Sequence, residues 1–233
     1  MTGDDRLKGA LADLASLVQA GAGPDHTAES LVALARDNLH CDFAGITVRL
    51  RDGQLQTLAG TDPIVEKADR LQCDLGEGPS VGPVWEQPDV AADDIAADQR
   101  WPAWGTAAAE LGLRSLLATR LSAVGESGAL NLYSSQPRRF TAEEVSFAHV
   151  FAHQAAVALS NSRRLEQLRF AIDGRTLIGQ AQGVLMERFG LSPDQAFGVL
   201  RRYSQDNHLK LSHVATELVE TGKLRETGTN AQA

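Results

Sequence analysis

Cysteine is nearly missing from this chain: its 233 residues include only Cys41 and Cys73. No Cys-x-x-Cys and no Cys/His cluster at metal-ligand spacing occurs, which argues against a disulfide-stapled fold or a structural metal site. No cofactor is expected. Long apolar runs are missing as well. No stretch approaches the ~20 residues that a membrane-spanning helix needs, and there is no signal peptide, so a cytoplasmic protein with no membrane partner is expected. The run Gly76-Glu77-Gly78-Pro79-Ser80-Val81-Gly82 lacks the Gly-Lys-Ser/Thr ending of a phosphate-cradling loop. No phosphoacceptor receiver pattern is visible either.

What is present is uneven. The chain is acidic, with a formal net charge of −8, but residues 1–159 carry 12 basic and 22 acidic side chains while residues 160–233 carry 10 and 8. An acidic body repels nucleic acid at long range, and a slightly basic tail binds it only where its arginines cluster.

The tail reads as three short amphipathic helices. Ile178, Ala181, Leu185 and Phe189 recur at helical spacing, and Gly190 sits where a left-handed C-terminal residue belongs. Ser192-Pro193-Asp194-Gln195 supplies an N-cap, a first-turn proline, a first-turn acid and the reciprocal residue of a capping box. The apolar face of that second helix is Ala196, Phe197, Leu200 and Tyr203, and Asn207-His208 ends it. Leu211, Val214, Ala215, Leu218 and Val219 then repeat as a third helix, stopped by Thr221-Gly222. Each is too short to persist alone, so the three must bury their faces together. Gly179 and Gly183, one turn apart, would admit a close neighbouring backbone. Arg201, Arg202, Tyr203, Ser204, Asn207, His208 and Lys210 crowd one helix end and its turn, a mixture suited to phosphate contact with stacking and hydrogen bonding to unpaired bases.

The run Ile178-Gly179-Gln180-Ala181-Gln182-Gly183-Val184-Leu185-Met186-Glu187-Arg188, then Ala196-Phe197, Leu200 to Ser204, Asn207, Lys210-Leu211 and Val214-Ala215, resembles the ANTAR domain of transcription antitermination regulators. The resemblance implies a dimer that recognises paired hairpins in a nascent leader transcript and so acts on the elongating RNA polymerase indirectly. Gln182 stands where a lysine is frequent in that family, which removes a cation. Tyr203-Ser204 stands where a smaller residue often follows the arginine pair.

Upstream, an α+β domain is expected. Leu7, Leu11, Leu14, Ala15 and Val18 form one helical stripe, ended by Gly21-Ala22-Gly23-Pro24, and Leu31, Leu34, Ala35 and Leu39 form a second. Ala44, Ile46, Val48 and Leu50 alternate with polar or small residues, and an Arg51-Asp52-Gly53 turn leads to a strand from Leu55 to Leu58. Further strands are expected near Val90, at 115–121 and at 129–133, the last two joined by a turn over 125–128. This gives an antiparallel sheet with flanking helices. With the Gly76–Gly82 run, Asp93-Asp94-Ile95, Arg100-Trp101-Pro102-Ala103-Trp104 and Leu111 to Ser115, it resembles the GAF domain, a small-molecule or protein-interaction sensor. That resemblance implies a pocket beside the sheet, its ligand left open, with Trp85, Trp101, Trp104 and Arg114 as candidate neighbours; ordinary packing accounts for tryptophans equally well. Some GAF-like domains reduce methionine sulfoxide with paired thiols, but Cys41 and Cys73 lie in unremarkable contexts, so no enzyme is expected.

Thr141 to Glu144 is a second capping box and opens what should be the longest helix. Ala148, Ala152, Ala155 and Leu159, then Leu165, Leu168 and Ile172, follow coiled-coil spacing, which suits a seam between two copies or a helix packed on its own domain. Gly174 leaves room for a flex point. The expected organisation is an N-terminal helix (1–24), a GAF-like sensor (25–160), a coiled-coil linker helix (161–175), an ANTAR-like RNA-binding bundle (176–224) and a disordered tail (225–233). The expected function is a signal-responsive, homodimeric RNA-binding antitermination regulator. Its contacts would be Arg201, Arg202, Ser204, Asn207, His208 and Lys210. A protein-interaction or DNA-binding regulator is the alternative, and the carboxylates Glu217 and Glu220 on the third helix oppose its use as a duplex-DNA reader.

Overall fold

The computed structural model describes residues 3–19, 21–123 and 126–224. The expected tail, and the centre of the turn before the last strand, lie outside them. The chain divides after Leu165 into two compact units.

The first unit opens with α1 (Gly3–Gln19) and α2 (Pro24–Leu39). The strands β1 (Phe43–Arg49) and β2 (Leu55–Gly60) follow as a hairpin, turned at Gly53 with φ 87°. Next come α3 (Pro63–Leu75), the single turn α4 (Pro83–Glu86), β3 (Asp89–Ala92) and α5 (Pro102–Glu110). β4 (Ser115–Ala123) and β5 (Glu126–Ser134) complete a five-stranded sheet of order β2-β1-β5-β4-β3, with all four pairings antiparallel.

Side-chain alternation gives the sheet two buried faces. Ala44, Ile46, Leu117, Leu121, Leu130 and Leu132 point to one side and pack with α1, α2 and the first half of α6 (Ala142–Phe189). Leu116, Ala118, Ala129 and Tyr133 point to the other, where Val65 and Ala68 of α3 and Trp104 and Ala108 of α5 close over them. Strand alternation alone would read as polar-out on one side. Here that side is covered, because α3 and α5 lie on it.

The sequence reading has no helix at 63–75, although its start is well marked: the Asp62 carboxylate accepts from the Ile64 N–H at 2.8 Å, and Pro63 takes the first turn. The helix α6 runs through Gly174 without interruption, so the expected flex point does not show as a break. Its start carries the reciprocal Thr141–Glu144 bonds at 2.8 and 3.2 Å. The seam read from Ala148, Ala152, Ala155 and Leu159 is buried in the unit's own core. The continuation of that seam stays in the open, with Leu165 at 43 %, Leu168 at 52 % and Ile172 at 62 % exposure, and Val150, Val157, Phe170 and Phe189 of the same helix are exposed as well.

In the second unit the end of α6 packs with α7 (Pro193–Asp206) and α8 (Leu211–Thr221). Ala181, Leu185, Ala196, Leu200, Val214, Ala215 and Leu218 form its core. Gly190 and Gly222 take the left-handed positions at 63° and 70°. The Ser192–Gln195 capping box is complete, with both bonds present. Two expectations differ. Phe189 and Phe197 stand outside the core, and nothing lies within 4 Å of a side chain built at Gly179 or Gly183, since both face away from the bundle.

Candidate functional site

The basic group of the second unit lies where α7 ends and α8 begins. Arg201, Arg202, His208 and Lys210 are exposed, and Ser204 and Asn207 are half-buried between them. The turn is fastened from both sides. The Ser204 hydroxyl donates to the Leu209 carbonyl at 2.6 Å, and the Leu209 N–H returns to the Ser204 carbonyl at 3.0 Å. The Asn207 side-chain amide donates to the Tyr203 carbonyl at 2.9 Å, satisfying an end carbonyl of α7. Ser204 and Asn207 therefore shape the turn in the free protein. His208 sits in the left-handed region at φ 53°.

α8 starts at Lys210 with no side-chain cap. Its first N–H groups add positive partial charge to that of Lys210. Gln182 is also committed: its amide donates to the Pro193 carbonyl at 3.0 Å, tying α6 to the start of α7. The structure thus gives the residue in the family's lysine position a local role that the sequence did not disclose.

The four candidates in the first unit separate. Trp104 is fully buried with its indole N–H on the Ala68 carbonyl at 3.1 Å, and Trp101 meets it edge-on at 5.7 Å. Trp85 donates to the Ser80 carbonyl at 2.6 Å and lies under the Arg49 guanidinium at 4.9 Å. Arg114 is paired with Asp94 at 3.0 Å. Glu77, from the glycine-rich run, caps α5 by accepting from the Ala103 and Trp104 N–H groups at 2.8 and 3.1 Å. A carboxylate thus fills the helix end where an anion would otherwise sit.

Sequence reasoning missed a polar network on this same face. The Asp69 carboxylate accepts from the Thr47 and Thr57 hydroxyls at 2.6 Å each and from the Gln72 amide at 3.2 Å. The Gln72 carbonyl oxygen in turn accepts from the Ser80 N–H at 2.7 Å, and Asn131 donates to Thr47 at 3.0 Å. Asp69 is 2 % exposed. Burial, outweighing its three donors and aided by the nearby Glu66, pushes its carboxyl up to about 6. Burial also holds the Tyr133 phenol well above its ordinary range, with the Asp69 charge adding to it. A strand–helix contact of this kind carries no local spacing signal in sequence.

The Cys41 thiol is buried and pushed up to about 12, chiefly by desolvation. It is not a thiolate at neutral pH. Among the described residues there is no cluster of three or more His, Cys, Asp or Glu side chains able to hold a metal, and no helix long and apolar enough to cross a membrane.

Comparison with known proteins divides the chain similarly. Residues 21–160 match the family model for the GAF domain and residues 166–219 that for the ANTAR domain. No curated protein matches the chain. Among solved structures, a GAF domain from a phosphoenolpyruvate-protein phosphotransferase of Coxiella burnetii is 17% identical with a TM-score of 0.54, over 70% of this chain and 98% of that one. The photoproduct state of GAF3 from a Synechocystis protein is 17% identical with a TM-score of 0.53, over 63% and 99%. A bacteriophytochrome from R. palustris is 11% identical with a TM-score of 0.58, over 86% of this chain and 46% of that one. At these identities the likeness shows the fold alone. The chain belongs to the GAF domain family and carries an ANTAR domain after it, the architecture of an RNA-binding antitermination regulator with a sensor domain.

Proposed function

We propose that this protein is a cytoplasmic, signal-responsive regulator whose C-terminal bundle binds two tandem hairpins of a nascent leader RNA as a homodimer, and so acts on the elongating RNA polymerase indirectly. The observation that carries the reading is the fastened α7–α8 turn. In a chain of net charge −8, it exposes Arg201, Arg202 and Lys210 together beside an uncapped helix N-terminus. Guanidinium and ammonium groups there neutralise phosphates, and partial positive charge at the start of α8 adds to them. Asn207, Ser204 and His208 stand at the same turn to meet bases.

The second copy docks along α6. Leu165, Leu168 and Ile172, spaced by three and four residues, stay exposed after the helix has buried its alanines, and a partner's equivalent stripe would cover them. Two bundles held together raise the effective concentration of the second hairpin contact by ~10²–10⁴ when both are within reach. A signal at the α3–α5 face, where Trp104 bonds the Ala68 carbonyl next to Asp69 and Trp101 packs on Trp104, would act by changing how the two stripes meet.

The test is titration of the full chain with a tandem-hairpin RNA, a single-hairpin RNA and a duplex DNA over a range of salt. The tandem RNA should bind most tightly, and Arg201→Ala or Arg202→Ala should each lower the log–log salt slope by roughly 0.7–0.9. Equal binding of duplex DNA, or tandem and single hairpins bound alike, refutes the reading. The exposed carboxylate Glu220 and half-exposed Glu217 on α8 weigh against a duplex reader that uses that helix.

A further inference from the structure

The end of α7 differs from every other left-handed helix end in this unit. Glycine occupies those that follow α6 and α8, at Gly190 and Gly222. After α7 the position belongs to His208, at φ 53°. An L-residue there costs free energy that glycine avoids, so what the position keeps is a side chain. The first unit has a histidine in the same conformation, His40 at φ 50°, so the backbone alone does not mark a site, and what sets His208 apart is its place beside Arg201, Arg202 and Lys210 at the exposed turn. The His208 imidazole is exposed, and the Ser204–Leu209 and Asn207–Tyr203 bonds fix the backbone on either side of it.

Phe197 supplies a second, independent observation. It is 38 % exposed, while its neighbours Ala196 and Leu200 are buried. Helical periodicity sets it one turn before Arg201 and two before Ser204, on the stripe of α7 that leads to the His208 turn. An exposed aromatic ring, a guanidinium and an imidazole thus follow one another over roughly 15 Å of helix and turn. Rings of this kind stack on unpaired bases, whereas a phosphate-only surface requires cations and no rings.

We infer that Phe197 and His208 flank Arg201 as a base-reading strip for unpaired hairpin-loop nucleotides, Phe197 by stacking alone and His208 by stacking and hydrogen bonding, so that His208 sets the loop sequence preferred. The inference rests on the RNA-binding reading above. It divides the labour of the face: Arg201, Arg202 and Lys210 supply affinity through phosphates, and the two rings supply loop recognition.

The experiment presents the full chain with a pool of tandem-hairpin RNAs whose loops are randomised, and compares the wild type with His208→Gly, Phe197→Leu and Arg201→Ala. Glycine suits φ 53° better than histidine, so His208→Gly should melt no lower than the wild type. It should bind ~10–100-fold more weakly to the wild type's selected loops, with a flattened loop preference and an unchanged salt slope. Phe197→Leu keeps an apolar side chain and should weaken binding by a similar factor with the same salt slope. Arg201→Ala should lower that slope. Unchanged loop preference and affinity in both ring variants overturns the strip while leaving RNA binding intact. A salt slope lowered by His208→Gly also overturns it, because the imidazole would then be a phosphate contact. If the wild type enriches no RNA from the pool, it is the RNA-binding reading beneath that fails.

Discussion

Replacing Asp69 by asparagine, followed across pH, probes the feature of the sensor unit that is least expected in a folded core. The carboxylate is enclosed by Thr47, Thr57 and Gln72 as donors, with no cation among those partners. The group of like sign beside it is Glu66 on its own helix; the Tyr133 phenol across the network on β5 is held well above its ordinary range and carries no charge at these pH values. Burial raises its pKa from 3.8 to about 6. A folded-state pKa above the unfolded one means that the native protein binds the proton more tightly. The protonated form is therefore favoured below the unfolded value, and native stability declines as pH climbs from about 4 to about 6, then levels off. About two pKa units correspond to about 3 kcal/mol. Asp42, Asp98 and Glu144 have lowered values and act with the opposite sign, losing stability as pH falls below their ordinary range, but they are common to wild type and variant and cancel in the difference between them. Asparagine removes the titration and keeps the shape. The Asp69→Asn variant should gain on the wild type by about 3 kcal/mol between pH 4 and pH 7 in urea unfolding of the sensor unit. The Asp69 carboxyl carbon should titrate near 6 by NMR in the intact chain. A difference that is flat with pH, or a carbon shift midpoint below 4, would show that the three hydrogen bonds outweigh burial and would refute the reasoning.

Two further outcomes follow from local structure. Ser192→Ala removes one half of the complete capping box on α7 and should lower the stability of the C-terminal bundle by about 1 kcal/mol in urea titration, with Ser192→Gly milder. Leu168→Glu places a charge in the exposed stripe of α6, outside the buried core; sedimentation should show dissociation of the proposed dimer with unchanged far-UV circular dichroism, and unaltered mass would rule out this stripe as the interface.

Local signals made most of the fold legible in the sequence. Capping boxes at Thr141 and Ser192, glycine at 190 and 222, and alternation in β1 each act over a few residues, so spacing reveals them. The α3 start at Asp62-Pro63 is a local signal of the same kind, a side-chain cap followed by a first-turn proline. What spacing cannot show is which of two equivalent faces a neighbour covers. Ala148, Ala152, Ala155 and Leu159 fit a seam between copies as well as a seam on their own sheet, and only the tertiary structure places them in the sheet's core. Asp69 is the sharper case. Its partners lie 22 and 12 residues away on two strands, and an aspartate on a helix reads as a solvated charge until those strands are in place.

The candidate contacts show the same limit from the other side. Composition marked the 201–210 segment as basic and mixed, but it could not separate side chains that build the turn from those that the turn presents. The structure makes that separation physically. Ser204 and Asn207 direct donors inward to the Leu209 and Tyr203 carbonyls, so altering them should disturb the shape of the face first and its chemistry second. Arg201, Arg202, His208 and Lys210 stand outward on that shape. Gln182 belongs with the first group, since its bond to the Pro193 carbonyl positions α7 against α6. A cation gained at 182 would therefore be weighed against a clasp lost, and the two effects oppose each other in RNA affinity. Phosphate attraction weakens with salt, whereas the packing of α7 does not. At high salt only the loss of the clasp would remain.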